Sequence, residues 1–128
     1  MSETADAIIV LATGGDDGGH RATLAFSWGC TALAMGRRVA VYMTMDGAIW
    51  STRDAAQDVC VCGFEPLEVY IEQFSDLGGE LLVCPPCSEQ LCTLDGHAHG
   101  ADLRAGAQLC GLAGVVGRTQ DRTQVITF

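Results

Sequence analysis

The chain has 128 residues, a common size for one domain and enough to bury most of its apolar surface. With 48% hydrophobic and 18% charged residues and a mean hydropathy of +0.24, the composition excludes a disordered chain. A formal charge of -9, with no basic run, argues against nucleic acid as a ligand; its ordinary role is solubility, and it would also suit a basic protein partner.

Glu3 and Asp6 without a nearby basic residue are the wrong charge for a secretory signal, and Ile8 to Ala12 is too short an apolar run for one. No uninterrupted stretch nears the roughly 20 residues of a membrane span, so a cytoplasmic protein is expected, with no membrane contact. The seven cysteines (30, 60, 62, 84, 87, 92 and 110) are an odd number. Thiol chemistry or metal binding is favoured over a disulfide scaffold.

In chain order, Ala7 to Thr13 is a continuous apolar run with β-branched residues, as in a strand buried on both faces. The loop Gly14 to Gly19 follows. Leu24, Trp28, Ala32 and Met35 recur at helical spacing from Arg21 to Met35, where Gly36 stops the helix. Val39 to Met45 is a second strand, ended by Asp46-Gly47, and Ser51 to Gly63 holds a short helix and turn.

Pro66 opens a helix whose stripe is Leu67, Tyr70, Ile71, Phe74 and Leu77, ended by Gly78-Gly79 before the strand Glu80 to Cys84. Beyond it we expect a short helix from Ser88, a turn at Asp95-Gly96, a helix over Ala101 to Leu112, a short strand near Val115-Val116 and a closing strand from Val125 to Phe128. Strands alternating with helices across short loops predict a single α/β domain over 1–128 with a largely parallel sheet covered on both faces.

Ligands and reactive groups gather beyond the carboxyl ends of such strands. Thr13 to His20, Asp46 to Trp50 and Cys84 to Cys87 qualify by position, and only the last holds a nucleophile. Cys84-Pro85-Pro86-Cys87 is a C-x-x-C motif where a strand hands over to a helix, a place that lowers a thiol pKa. Neither proline has an N–H, so if Cys84 caps the helix its nearest donor is the Cys87 amide. Cys92, five residues on, either resolves an oxidised or persulfidated Cys84 or packs in the core.

Cys60-Val61-Cys62 and His97-Ala98-His99 would complete a zinc inventory with Cys84 or Cys87, but they match no standard zinc pattern. Cys30 and Cys110 are expected on apolar helices as core residues. The loop Gly14 to Gly19 lacks the Lys-Ser/Thr ending of a phosphate loop, and Asp16 or Asp17 is expected to cap the following helix. His20 and Arg21 open that helix and are expected to be exposed.

IIVLAT with its polar loop, RATLAFSWGCTALAMGRRVAVYMTMDGAIW, the ELLVC strand and the closing VITF together resemble the DsrE/TusD (DsrE/DsrF/DsrH-like) sulfur-carrier family over nearly the whole chain. The resemblance implies a three-layer α/β/α fold with a five-stranded, mostly parallel sheet, and assembly into homotrimers or hexamers. It implies a reactive cysteine after the LLVC strand, here Cys84, that carries sulfane sulfur as a persulfide and relays it to a TusA-like carrier for sulfur oxidation or tRNA thiolation. The sequence departs from the best-known members in having PPCSEQLC after Cys84, where they have an Ala-rich helix.

The leading reading is therefore a sulfurtransferase using Cys84, assisted by Cys87 or Cys92, with no metal or organic cofactor. Its rivals are a thiol-disulfide oxidoreductase cycling Cys84 and Cys87, and a non-catalytic zinc-binding or assembly module.

Overall fold

The computed structural model of the chain describes residues 4–89 and 103–128. Strands β1 (Ala7–Leu11), β2 (Val39–Met43), β3 (Glu80–Val83), β4 (Ala107–Leu109) and β5 (Gln124–Thr127) form one sheet in the order β4-β3-β2-β1-β5. All four pairings are parallel, so the expected five-stranded, mostly parallel sheet is wholly parallel.

Helices α1 (His20–Ala34) and α2 (Leu67–Asp76) link the first three strands. A helix α3 starts at residue 85 and is described through 89, and α4 (Leu112–Val116) precedes β5. The chain steps from β1 to β2, β3 and β4 in one direction and then returns past β1 to β5. Right-handed crossovers running in opposite directions must use opposite faces of the sheet.

The core confirms that division. Ala7, Ile9 and Leu11 of β1, Val39, Val41 and Met43 of β2, and Leu81 and Val83 of β3 pack with α1 and α2 on the first face. The alternate residues Ile8, Ala40, Tyr42 and Leu82 pack with Val115 of α4 on the second. Strand side chains alternate between faces, so continuous apolar runs are what the middle layer of a three-layer fold requires.

The helices of the first face meet closely. Phe26 of α1 and Phe74 of α2 are edge to face, with ring centroids 5.6 Å apart. A Cβ on Gly29 would lie 2.8 Å from the Phe74 ring, so a glycine there sets how near α2 can come to α1. Leu67, Ile71 and Phe74 are fully buried as the stripe predicts, while Leu77 is 51% exposed because α2 ends just before it.

The loop Gly14 to Gly19 contains a 3-10 turn at Gly15–Asp17. Asp17 accepts hydrogen bonds from the amides of Gly19 and Arg21 at 2.9 Å each, which is the capping role expected of this acidic pair. After β2 a 3-10 helix, Met45–Ser51, replaces the simple loop. Its Gly47 passes so close to β1 that a Cβ would lie 2.1 Å from the Leu11 carbonyl oxygen. Trp50 Nε1 donates to the Thr13 carbonyl at 2.9 Å and pins the same segment.

The last third of the chain departs from expectation. Within the predicted helix 101–112, the described residues form a bridge of Leu103 to Thr52, a turn through Gly106 at φ +87° and strand β4. The predicted strand at Val115-Val116 is helix α4. Ala, Leu and Gln favour helix locally, but Gly106 breaks it and pairing of Leu81, Leu82 and Val83 with Ala107, Gln108 and Leu109 outweighs the propensity. The helix expected from Ser88 begins three residues earlier, at Pro85. The turn predicted at Asp95-Gly96 lies outside the described residues.

Candidate functional site

The carboxyl edge of β3 is where sheet pairing fails, and the reason is chemical. The Cys84 amide still donates to the Met43 carbonyl, and the Cys110 amide to the Val83 carbonyl, each at 3.0 Å. The next rung toward β4 would need an N–H at residue 85, which is proline. The next rung toward β2 would use the Met45 amide, and that amide donates instead to Cys87 Sγ at 3.1 Å.

Met45 has φ +52°, the one positive value outside glycine among the described residues. A left-handed methionine costs on the order of 1 kcal/mol and is the turn that takes its amide out of the ladder. With both rungs missing, the Cys84 carbonyl accepts from the Ser88 amide at 2.9 Å and starts helix α3. The chain after β3 leaves toward the first face, where Cys87 packs, whereas the chain after β4 leaves toward the second with α4. Strands whose exits diverge leave a crevice between their ends.

Cys84 therefore stands as the N-cap of α3, half-buried. Pro85 and Pro86 offer no donors, and the Cys87 amide bonds the Cys84 sulfur, as the motif predicts. Burial pushes the Cys84 thiol up, but hydrogen bonds from the Cys87 thiol and amide, the Tyr42 hydroxyl and the Thr44 hydroxyl outweigh it. The net effect holds Cys84 below the ordinary thiol range. Tyr42 is buried, and burial and the neighbouring Cys84 push its phenol up to about 12, so it remains a donor at every physiological pH.

Cys87 is also half-buried, with Sγ 3.7 Å from Thr44 Oγ1. Cys84 and Cys87 are thus brought together, and Cys92 lies outside the described residues. Tyr42 and Thr44 were not legible as site residues from the sequence. Their signal was parity: Tyr42 on β2 and Thr44 just past its end share the phase of Leu82 on β3 and Cys84 just past its end.

The six described cysteines are free thiols. Cys60 and Cys62 are exposed, and no group of three or more His, Cys, Asp or Glu side chains among the described residues is placed to hold a metal. His97 and His99 lie outside those residues. Cys30 is buried on α1 as expected. Cys110 corrects its prediction: it sits just past β4 rather than on a helix, and it is half-buried. His20 and Arg21 are exposed at the start of α1, the expected position.

The model of the DsrE/DsrF-like family matches residues 6–128. Among solved structures, the YchN protein from E. coli superposes with a TM-score of 0.70 at 13% identity, covering 99% of this chain and 100% of that one. The conserved protein of unknown function BT1422 from Bacteroides thetaiotaomicron gives 0.56 at 12% identity, covering 96% and 95%. At such identities the likeness is one of fold. None of the curated proteins compared with the chain matches it.

Proposed function

The chain belongs to the DsrE/DsrF-like family, and from that premise we propose that it is a sulfur carrier whose Cys84 takes up sulfane sulfur as a persulfide and relays it to a small TusA-like protein. The observation that carries the reading is a half-buried thiol just past the carboxyl end of β3, held toward its ionised form by neutral donors. In the first step the Cys84 thiolate attacks the sulfane sulfur of a donor, forming a new S–S bond while the donor's thiolate leaves. In the second, an acceptor thiolate attacks the outer sulfur and Cys84 leaves as thiolate.

The donors suited to attack are equally suited to departure. Tyr42, Thr44 and the Cys87 amide stabilise charge on Cys84 Sγ whenever it appears, and exchange of this kind needs no metal or organic cofactor. Cys87 assists as a donor whose own sulfur is fixed by the Met45 amide. Cys92 is the other candidate assistant. The net charge of -9 favours a basic carrier, and the apolar side chains exposed on α4 and β5, Leu112, Val116 and Val125, are what a homotrimer or hexamer would cover.

No helix among the described residues is long and apolar enough to cross a membrane, and free thiols persist in a reducing cytoplasm, where we place the reaction. A dithiol-disulfide cycle is the second reading, favoured by the hydrogen bond from the Cys87 thiol to Cys84. Intact-protein mass spectrometry after incubation with polysulfide separates the two, using wild type, Cys84→Ser, Cys87→Ser and Cys92→Ser. Sulfur carriage gives adducts of whole sulfur atoms that vanish with Cys84→Ser; loss of two hydrogens without such adducts favours the disulfide cycle.

A further inference from the structure

Cys110 is a free thiol that the relay above does not use. It lies one residue past β4, as Cys84 lies one residue past β3. The register Leu82 to Gln108 and Val83 to Leu109, carried on by the Cys110 amide to the Val83 carbonyl, sets the two cysteines side by side. Both pack against the same cluster on the second face.

Adjacent strands run about 5 Å apart, and side chains leaving them in parallel keep that separation. A disulfide wants its Cβ carbons nearer, at about 4 Å. One additional sulfur, with S–S bonds of about 2 Å, fills such a gap.

The two thiols meet different partners. Where Cys84 has neutral donors, Cys110 Sγ has Arg118 Nη1 at 3.7 Å. Arg118 is only 8% exposed, and its guanidinium is fixed by Glu80 at 2.8 and 3.0 Å and by the Gly114 carbonyl at 2.6 Å. A Cβ on residue 114 would lie 2.6 Å from the Cys110 sulfur, so the glycine leaves room for it. A held guanidinium offers a thiolate or persulfide anion a charge-assisted hydrogen bond.

We propose that Cys110 is a second station that takes the outer sulfur from the Cys84 persulfide. The Cys110 thiolate attacks the outer sulfur of Cys84–S–SH, and a new S–S bond forms on Cys110. The old S–S bond breaks with its electron pair going to Cys84, which leaves as thiolate onto its existing donors. The product is Cys110–S–SH, the proton stays on the transferred sulfur, and no external oxidant or reductant enters. The step rests on the loading of Cys84 proposed above.

Peptide mapping tests it. Protein loaded with polysulfide is alkylated and digested, and sulfane sulfur is located by mass spectrometry in wild type, Cys84→Ser and Cys110→Ser, with Cys110→Ala as a second variant should the serine variant not fold. The relay predicts sulfur on both cysteines in wild type, on Cys84 in the Cys110 variants, and loss from Cys110 in Cys84→Ser. Sulfur confined to Cys84 in wild type, or Cys110 loaded as fully in Cys84→Ser as in wild type, overturns the relay and leaves Cys84 as carrier intact. Failure of Cys84 to load in every protein overturns both.

Discussion

Cys30 and Cys84 are both free thiols that pack against the core, yet their surroundings drive them in opposite directions. Cys30 sits inside α1, 9% exposed, with its thiol donating to the Tyr70 carbonyl of α2 at 3.3 Å. Burial pushes it up to about 11. Burial also opposes ionisation of Cys84, but that sulfur receives hydrogen bonds from the ends of β2 and the first turn of α3. Inside a helix every amide is engaged with a carbonyl, whereas at a strand-to-helix junction an amide is left over. Position along an element, rather than depth in the core, separates the inert thiol from the reactive one.

The largest effect that would break this comparison is sulfur loading itself. Cys84→Ser is expected to abolish polysulfide adducts, and Cys30→Ala to leave loading unchanged while costing about 1 kcal/mol of stability. Adducts that follow Cys30 in mass spectrometry would reverse the assignment.

Stability at alkaline pH comes next. The folded-state value of Cys30 is raised from 9.0 to about 11, so folding favours the thiol form. That contribution is fully present below about 9 and lost as pH rises toward about 11, on the order of 2 kcal/mol. Cys84 has the opposite sign: its lowered value favours folding above the ordinary thiol pKa, and the contribution fades as pH falls through the folded value. Urea melts at several alkaline pH values are expected to show wild type losing stability relative to Cys30→Ala. Parallel curves would mean that burial of Cys30 does not control its ionisation.

Tyr42→Phe removes one donor from the Cys84 thiolate. A hydrogen bond of about 1 kcal/mol corresponds to a rise of roughly half a unit to one unit in the pH midpoint of Cys84 alkylation. An unchanged midpoint would place the phenol outside the site. The smallest effect is that of Pro86→Ala, which restores an N–H at the second helical position. It is expected to lower the same midpoint by no more than about half a unit, measured by the rate of iodoacetamide labelling.

Much of the architecture was readable because each element of the first face carries its own signal in its local sequence. AIIVL, VAVYM and ELLV are apolar runs bounded by turn formers, and α2 carries its stripe at helical spacing. The β4 segment was misread because Ala-Gln-Leu is a three-residue edge strand whose state depends on β3, far away in sequence. Within the site, the Cys84–Cys87 pair was visible as a motif, and the Cys87 amide as its donor followed from the two prolines. Tyr42, Thr44 and Cys110 were not visible, since each enters through strand register and phase, which emerge only when the sheet is assembled.

Pro85 makes this arrangement sensitive to parity. By denying the sheet its next rung it decides on which residue β3 ends, and a strand alternates its side chains with every step. Sliding the Cys-Pro junction by a single position would turn the sulfur away from Tyr42 and toward the α1–α2 layer, into surroundings like those that keep Cys30 protonated. One insertion or deletion in β3 is therefore enough to silence the thiol while every cysteine remains in the chain.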